Sequence, residues 1–173
     1  MALLRRTIEL LERAGIPAAL IGASAMAAHG VSRSTLDQDL IVTDTSILSA
    51  SFWSALGSDV SLDVRRGDDS DPLLGVVRLH APEHDRHVDV VVGPSWTRGV
   101  VDRAERVELS GVSLRVATSA DLILLKLYAG GPQDLWDIAQ LLSAAPDADA
   151  LRAEVEARLS LLPTSCTDQW KRL

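Results

Sequence analysis

The run LDQDLIVT, residues 36–43, alternates polar and apolar side chains, as a half-buried β-strand does. Two carboxylates fall inside it, and residues two apart on a strand share a face, so Asp37 and Asp39 point the same way while Gln38 and Leu40 point the other. Adjacent like charges repel, and the arrangement costs stability unless a cation neutralises it. Hard oxygen ligands of this kind favour magnesium or manganese, often completed by phosphate oxygens of a substrate. Spacing alone leaves two readings open, a cation site or a solvated acidic sheet end.

The same Asp-x-Asp spacing recurs at Asp69/Asp71 and Asp147/Asp149. The first lies in a loop (GDDSDP, 67–72) without the glycine and terminal glutamate of a calcium loop, and reads as a solvated turn. The second opens a helix, where carboxylates cap backbone donors and favour the dipole.

Two features set Asp37/Asp39 apart. Upstream, an apolar strand at 18–21 runs into Gly22-Ala23-Ser24 and a short helix over 25–29 with Ser24 as its cap, a turn suited to an anionic ligand. Downstream, Asp89 interrupts the apolar strand 88–92. A carboxylate there needs a partner, either a shared metal ion or a cross-strand arginine, Arg78 or Arg86.

Around these lie an amphipathic helix over 3–14, ended by Gly15 and Pro17, and a helix over 47–56. A strand at 60–65 follows. Strands 74–80 and 87–92 form a hairpin, succeeded by a helix at 97–105 and a shorter hairpin over 107–116. Helices at 120–129 (capped by Ser119), 133–144 (opened by Pro132) and 148–161 complete the chain. The expected class is α+β, a mixed sheet flanked by helices, with a seam near Thr118 dividing an α/β core (1–117) from a C-terminal helical region (118–173) packed on it.

The 173 residues carry a net charge of −7, from 17 basic and 24 acidic side chains, which disfavours a broad phosphate-neutralising surface. Cys166 is alone, so no internal disulfide or cysteine-rich zinc site is expected, and a reducing cytoplasm is the simplest home. The uncharged stretch 14–32 is broken by Gly15, Pro17, Gly22 and Gly30, so no membrane span or targeting segment is expected. Core positions are the default for Trp53, Trp96, Trp136 and Trp170.

Ile21 to Val42, IGASAMAAHGVSRSTLDQDLIV, resembles the signature of polymerase-β-type nucleotidyltransferases, in particular the small bacterial group related to abortive-infection toxin–antitoxin nucleotidyltransferases. Gly22, Ala25, His29, Gly30, Arg33, Thr35, Asp37, Asp39 and Leu40 stand at matching positions. HVDVVVG (87–93) is similar to the strand of the third carboxylate. SADLILLKLYAGGPQDLWDIAQLL (119–142) is similar to the C-terminal helix pair, with Asp121, Lys126, Asp134 and Asp137 in place. Departures are Ala23 in the glycine signature, Gly131 where arginine is usual and Gln133 where lysine is usual; the last two remove cationic phosphate partners.

The resemblance implies an enzyme moving a nucleoside monophosphate from a nucleoside triphosphate to an acceptor hydroxyl, with pyrophosphate released. It implies Mg2+ (or Mn2+) on Asp37, Asp39 and Asp89, which are also its catalytic residues, and Gly22, Ala23, Ser24, Arg33 and Lys126 for the nucleotide. The acceptor is a small molecule, RNA or protein, and a toxin–antitoxin partner protein is a further candidate. His29 reads as a helix-end residue rather than a base. The alternative is a catalytically weak or inactive homologue serving as a nucleotide-binding or toxin–antitoxin interaction module. Two other readings fit poorly. Ser24 as a hydrolase nucleophile lacks the elbow's second glycine, since Met26 stands there. A zinc site on His80, Glu83, His84 and His87 is broken by Pro82.

Overall fold

The computed structural model describes residues 2–32, 37–68, 71–82, 86–109 and 111–173. In chain order the elements are α1 (Ala2–Arg13), β1 (Ala19–Ile21), α2 (Gly22–Ala28) and β2 (Gln38–Val42). Next come β3 (Ser61–Arg66), β4 (Gly75–His80), β5 (Val88–Val92), α3 (Arg98–Arg103), β6 (Glu105–Leu109) and β7 (Val112–Val116). Helices α4 (Ser119–Ala129), α5 (Pro132–Ala144), α6 (Ala148–Glu156) and α7 (Thr164–Trp170) close the chain.

The strands form one mixed seven-stranded sheet ordered β3-β4-β5-β2-β1-β7-β6. Strand β2 is central, parallel to β5 and antiparallel to β1. This is the expected α+β class, with the expected hairpins β4–β5 and β6–β7. Apolar runs place β2 and β5 inside: Leu40, Ile41, Val42, Val88, Val90 and Val92 are all buried. Strand β3, with charges at Asp63, Arg65 and Arg66, lies at an edge and is mostly exposed. Charged edge strands resist pairing with other chains.

Helix α1 buries Leu3, Leu4, Ile8, Leu10 and Leu11. A single apolar cluster joins these to the sheet, to Leu122, Ile123 and Leu124 of α4, and to Trp170 of α7. Trp53 and Trp170 are buried and Trp96 packs against the core, but Trp136 is 49% exposed, against the default reading. Among the described residues, no helix is long and apolar enough to cross a membrane.

Local differences from expectation have local causes. Residues 45–56 form two 3-10 helices rather than an α-helix. Asp44 and the serines divert the backbone there: Asp44 accepts from the Ser46 N–H, Ser54 Oγ donates to the Ser51 carbonyl, and Ser49 and Ser51 pair through their hydroxyls. Helix α2 starts at Gly22, so Ser24 lies within it instead of capping it. Thr118, not Ser119, caps α4, its Oγ1 accepting from the Asp121 N–H. Asp147 caps α6 as expected, and that helix ends at Glu156, five residues early. The expected helix at 97–105 ends at Arg103, where β6 begins at Glu105. Helix α7 was not anticipated, its polar TSCTDQW giving little periodic signal.

Candidate active site

Strand order places the carboxylates. β2 lies between β1 and β5, and the registers put Asp39 directly beside Ile21 on one side and Asp89 on the other. Asp37 is two residues before Asp39 on the same face, and His87 two residues before Asp89. His87 Nε2 lies 2.8 Å from Asp37 Oδ1. The sheet thus pairs Asp39 and Asp89 on neighbouring strands, Asp37 stands one residue before β2, and His87 joins them through Asp37. In the sequence His87 stood out as the first residue of HVDVVVG and as a zinc candidate, not as a neighbour of Asp37.

The electrostatics centre on Asp39. Burial, reinforced by the charges of Asp89 and Asp37, pushes its pKa up to about 6, while Lys126 and His87 pull the other way. A carboxylate in this state is relieved by a bound cation, and Asp37 and Asp39 have the hard oxygens that magnesium prefers. These two residues therefore fit a divalent ion. Asp89 differs. Arg78 of β4, its direct cross-strand partner, donates from Nε to Oδ1 at 2.8 Å and from a terminal nitrogen to Oδ2 at 2.6 Å. Of the two partners open to Asp89 from sequence, the cross-strand arginine is the one in place. No cluster of three or more His, Cys, Asp or Glu among the described residues is spaced to hold a metal ion. Within the zinc reading, His87 faces Asp37, and Glu83 and His84 lie outside the described residues.

Gly22 is the hinge between β1 and α2. Its φ is +66°, a left-handed value that glycine adopts freely, and a β-carbon there would overlap Asp39 Oδ2. The chain thus turns into α2 hard against the central carboxylate. Ala23 is buried, and Ser24 sits in the first turn of the helix. His29 Nε2 is 2.7 Å from the Ala117 carbonyl, which ties the end of α2 to the strand-to-helix turn before α4. Arg33 lies outside the described residues.

A cleft of about 290 Å³ opens between this sheet face and α4. Ile21, Ile41 and Val91 form its floor, Leu122 and Leu125 its opposite wall, and Asp39 and Lys126 its polar end. Lys126 Nζ is 2.8 Å from Asp134 Oδ1 and 2.7 Å from Asp137 Oδ2, both on α5. Burial opposes its charge, but these two hydrogen bonds prevail and hold its pKa above the ordinary lysine value. Asp134 also accepts from the Gly131 N–H, so one carboxylate caps α5 and tethers the lysine. Gln133 donates to Asp137 at 3.3 Å. The Gly131 and Gln133 positions thus belong to this tether. Asp121, wholly buried, accepts from Arg103 at 3.1 and 2.6 Å and supports the start of α4. Leu73 and Pro72 close the cleft mouth, and Tyr128 Oη donates to the Pro72 carbonyl at 3.3 Å. Nothing in the sequence pattern marked that loop as a wall.

No protein-family model and no curated protein matches the chain. Solved structures do. The chain is similar to the antibiotic-resistance factor ANT(2'')-Ia in complex with adenylyl-2''-tobramycin, at TM-score 0.58 and 15% identity over 92% of this chain and 96% of that one. The solution structure of the same factor aligns at TM-score 0.56, covering 92% and 90%. An antigenic nucleotidyltransferase-like protein from Paracoccidioides brasiliensis aligns at TM-score 0.51 and 16% identity, covering 95% of this chain and 91% of that one. The mixed sheet and its flanking helices are thus a nucleotidyltransferase-like fold.

Proposed function

We propose that the protein is a metal-dependent nucleotidyltransferase, moving a nucleoside monophosphate from a nucleoside triphosphate to an acceptor hydroxyl and releasing pyrophosphate. The observation that carries this reading is the convergence at Asp39. It is half-buried, flanked by Asp37 and Asp89, raised to about 6, and set against the Gly22 turn at the end of a cleft that also holds Lys126. Carboxylates gathered in this way repel one another, and a shared cation would relieve that repulsion.

Asp37 and Asp39 would hold Mg2+ or Mn2+, and Asp89 would complete the set once free of Arg78. Held there, such an ion would supply charge neutralisation for the triphosphate and the attacking oxygen. The hydroxyl oxygen forms a bond to the α-phosphorus as the bond from that phosphorus to the departing pyrophosphate breaks. The hydroxyl proton passes to a carboxylate oxygen, for which Asp89 is the candidate.

Gly22 sets the start of α2 against Asp39, Ala23 and Ser24 follow in its first turn, and Ile21 at the N-cap gives the first donors no side-chain hydrogen bond. That leaves them for phosphate oxygens. Lys126, tethered by Asp134 and Asp137, supplies fixed positive charge from across the cleft, and Arg33 is a second cation for the same phosphates. In this division residues 1–117 bring the carboxylates and 118–173 bring the lysine. The acceptor is a small molecule, RNA or protein. The neighbour bound to adenylyl-2''-tobramycin supports a small molecule first. A toxin–antitoxin partner protein and a cytoplasmic location belong to the same proposal.

Titration of each nucleoside triphosphate with and without Mg2+ tests this, on wild type and on a folded Asp37→Asn/Asp39→Asn variant. Mg2+-dependent binding lost in the variant is expected. Failure of wild type to bind any triphosphate overturns the reading. One observation favours a second reading, a nucleotide-binding module without turnover: Arg78 occupies both oxygens of Asp89. Tight triphosphate binding with no pyrophosphate release against a broad acceptor panel would select it.

A further inference from the structure

The order β4-β5-β2 sets Asp89 between two unlike neighbours, Arg78 on one side and Asp39 on the other, each its direct strand partner. Asp89 is 8% exposed and both its oxygens are taken on the β4 side. A guanidinium fork on a carboxylate is a rigid, directional arrangement, stronger than a single contact. The arginine side chain is 50% exposed and borders a groove of about 180 Å³, lined with Asp63, Arg65 and Val76, so it has room to leave.

We propose that Arg78 masks Asp89: its guanidinium withholds the third carboxylate, so that in the nucleotide-free protein Asp37 and Asp39 bind a divalent ion without it. The inference rests on the nucleotidyltransferase reading for the identity of the cation site. It makes Arg78 a positioning residue, acting on the ion only through Asp89.

Mn2+ binding to the full-length chain without nucleotide, followed by electron paramagnetic resonance of free Mn2+, tests it. Arg78→Gln is expected to tighten Mn2+ binding by about tenfold, the scale on which ligand-orienting partners tune metal affinity. Losing a positive charge would by itself attract a cation, so the decisive readout is a cycle. The gain must vanish in Arg78→Gln/Asp89→Asn, and Asp89→Asn in the wild-type background must shift affinity by less than the gain. An unchanged or weaker affinity in Arg78→Gln, or a gain that survives Asp89→Asn, overturns the mask. Should Arg78→Gln fail to fold, Arg78→Lys keeps the charge and gives up the two-point grip. A gain there supports the proposal, and no gain overturns it. If wild type binds Mn2+ and Asp37→Asn/Asp39→Asn abolishes that binding while Arg78→Gln shows no gain, the mask alone fails. If neither wild type nor Arg78→Gln binds Mn2+, the nucleotidyltransferase reading fails and takes the mask with it.

Discussion

Gly22 and Asp39 compete for one volume: the space a β-carbon at Gly22 would fill holds the Asp39 carboxylate. The turn that enters α2 and the central acidic residue of β2 are therefore built as a unit, and position 22 admits no side chain while Asp39 keeps its place.

Gly22→Ala is expected to cost about 1–2 kcal/mol from the left-handed φ alone, and to displace Asp39 as well. Gly15→Ala is the internal control, with a φ of +70° but nothing within 4 Å of an added β-carbon. Both variants lose stability in urea. Only Gly22→Ala loses divalent-ion binding, and equal losses in the two would show that the turn does not support the carboxylate.

The acidic pair Asp39 and Asp89 was legible in sequence because each interrupts an apolar strand, and the sheet then put the two in register, with Asp37 just ahead of β2. The Arg78 partner was also legible, as one of two arginines on a hairpin whose register was unread. What escaped was set by contacts distant in sequence. The Pro72–Leu73 wall is placed by Tyr128, 56 residues on, and no local pattern encodes that. The helix expected at 47–56 failed for the opposite reason: local serine hydrogen bonds outweighed the apolar spacing of Ile47, Trp53 and Leu56.

Asp121 is fully enclosed and pairs with Arg103, whose side chain is 34% exposed. Removing one partner strands a charge, so Arg103→Leu is expected to destabilise by about 3–5 kcal/mol. Arg103→Leu/Asp121→Leu should recover part of that loss, since replacing both members with apolar groups is much less costly. Chemical denaturation of the two variants decides it; a double variant no better than the single would place the energy elsewhere.

Lys126 carries two roles that can be separated. Lys126→Met leaves Asp134 and Asp137 facing each other without their cation, and a loss of about 3–5 kcal/mol is expected. Lys126→Met/Asp134→Asn/Asp137→Asn removes the repulsion and should regain most of it. Triphosphate affinity, if Lys126 contacts phosphate, stays about tenfold down in the rescued variant, the value of one charged hydrogen bond. Full recovery of affinity with stability would make the lysine structural only.

Asp39 dictates a pH dependence with a definite sign. Its pKa rises from 3.8 to about 6 on folding, chiefly through burial and then through Asp89 and Asp37. Between those values the folded protein holds more protons than the unfolded one, so this residue's contribution to stability falls as pH rises through that window. Below about pH 4 the carboxyl is neutral in both states and the penalty is absent. Above about pH 6 it is charged in both, and the penalty is complete at on the order of 3 kcal/mol. Asp39→Asn removes the charge, so its stability gain over wild type should be small at pH 4 and reach that order by pH 8. Mg2+ should narrow the difference at pH 8 by stabilising wild type alone, because the ion neutralises the charge that the substitution deletes. Denaturant midpoints for the two proteins across pH, with and without Mg2+, measure both effects. A difference that stays flat with pH would show that Asp39 titrates as an ordinary surface carboxylate, and that the row has no unmet need for a cation.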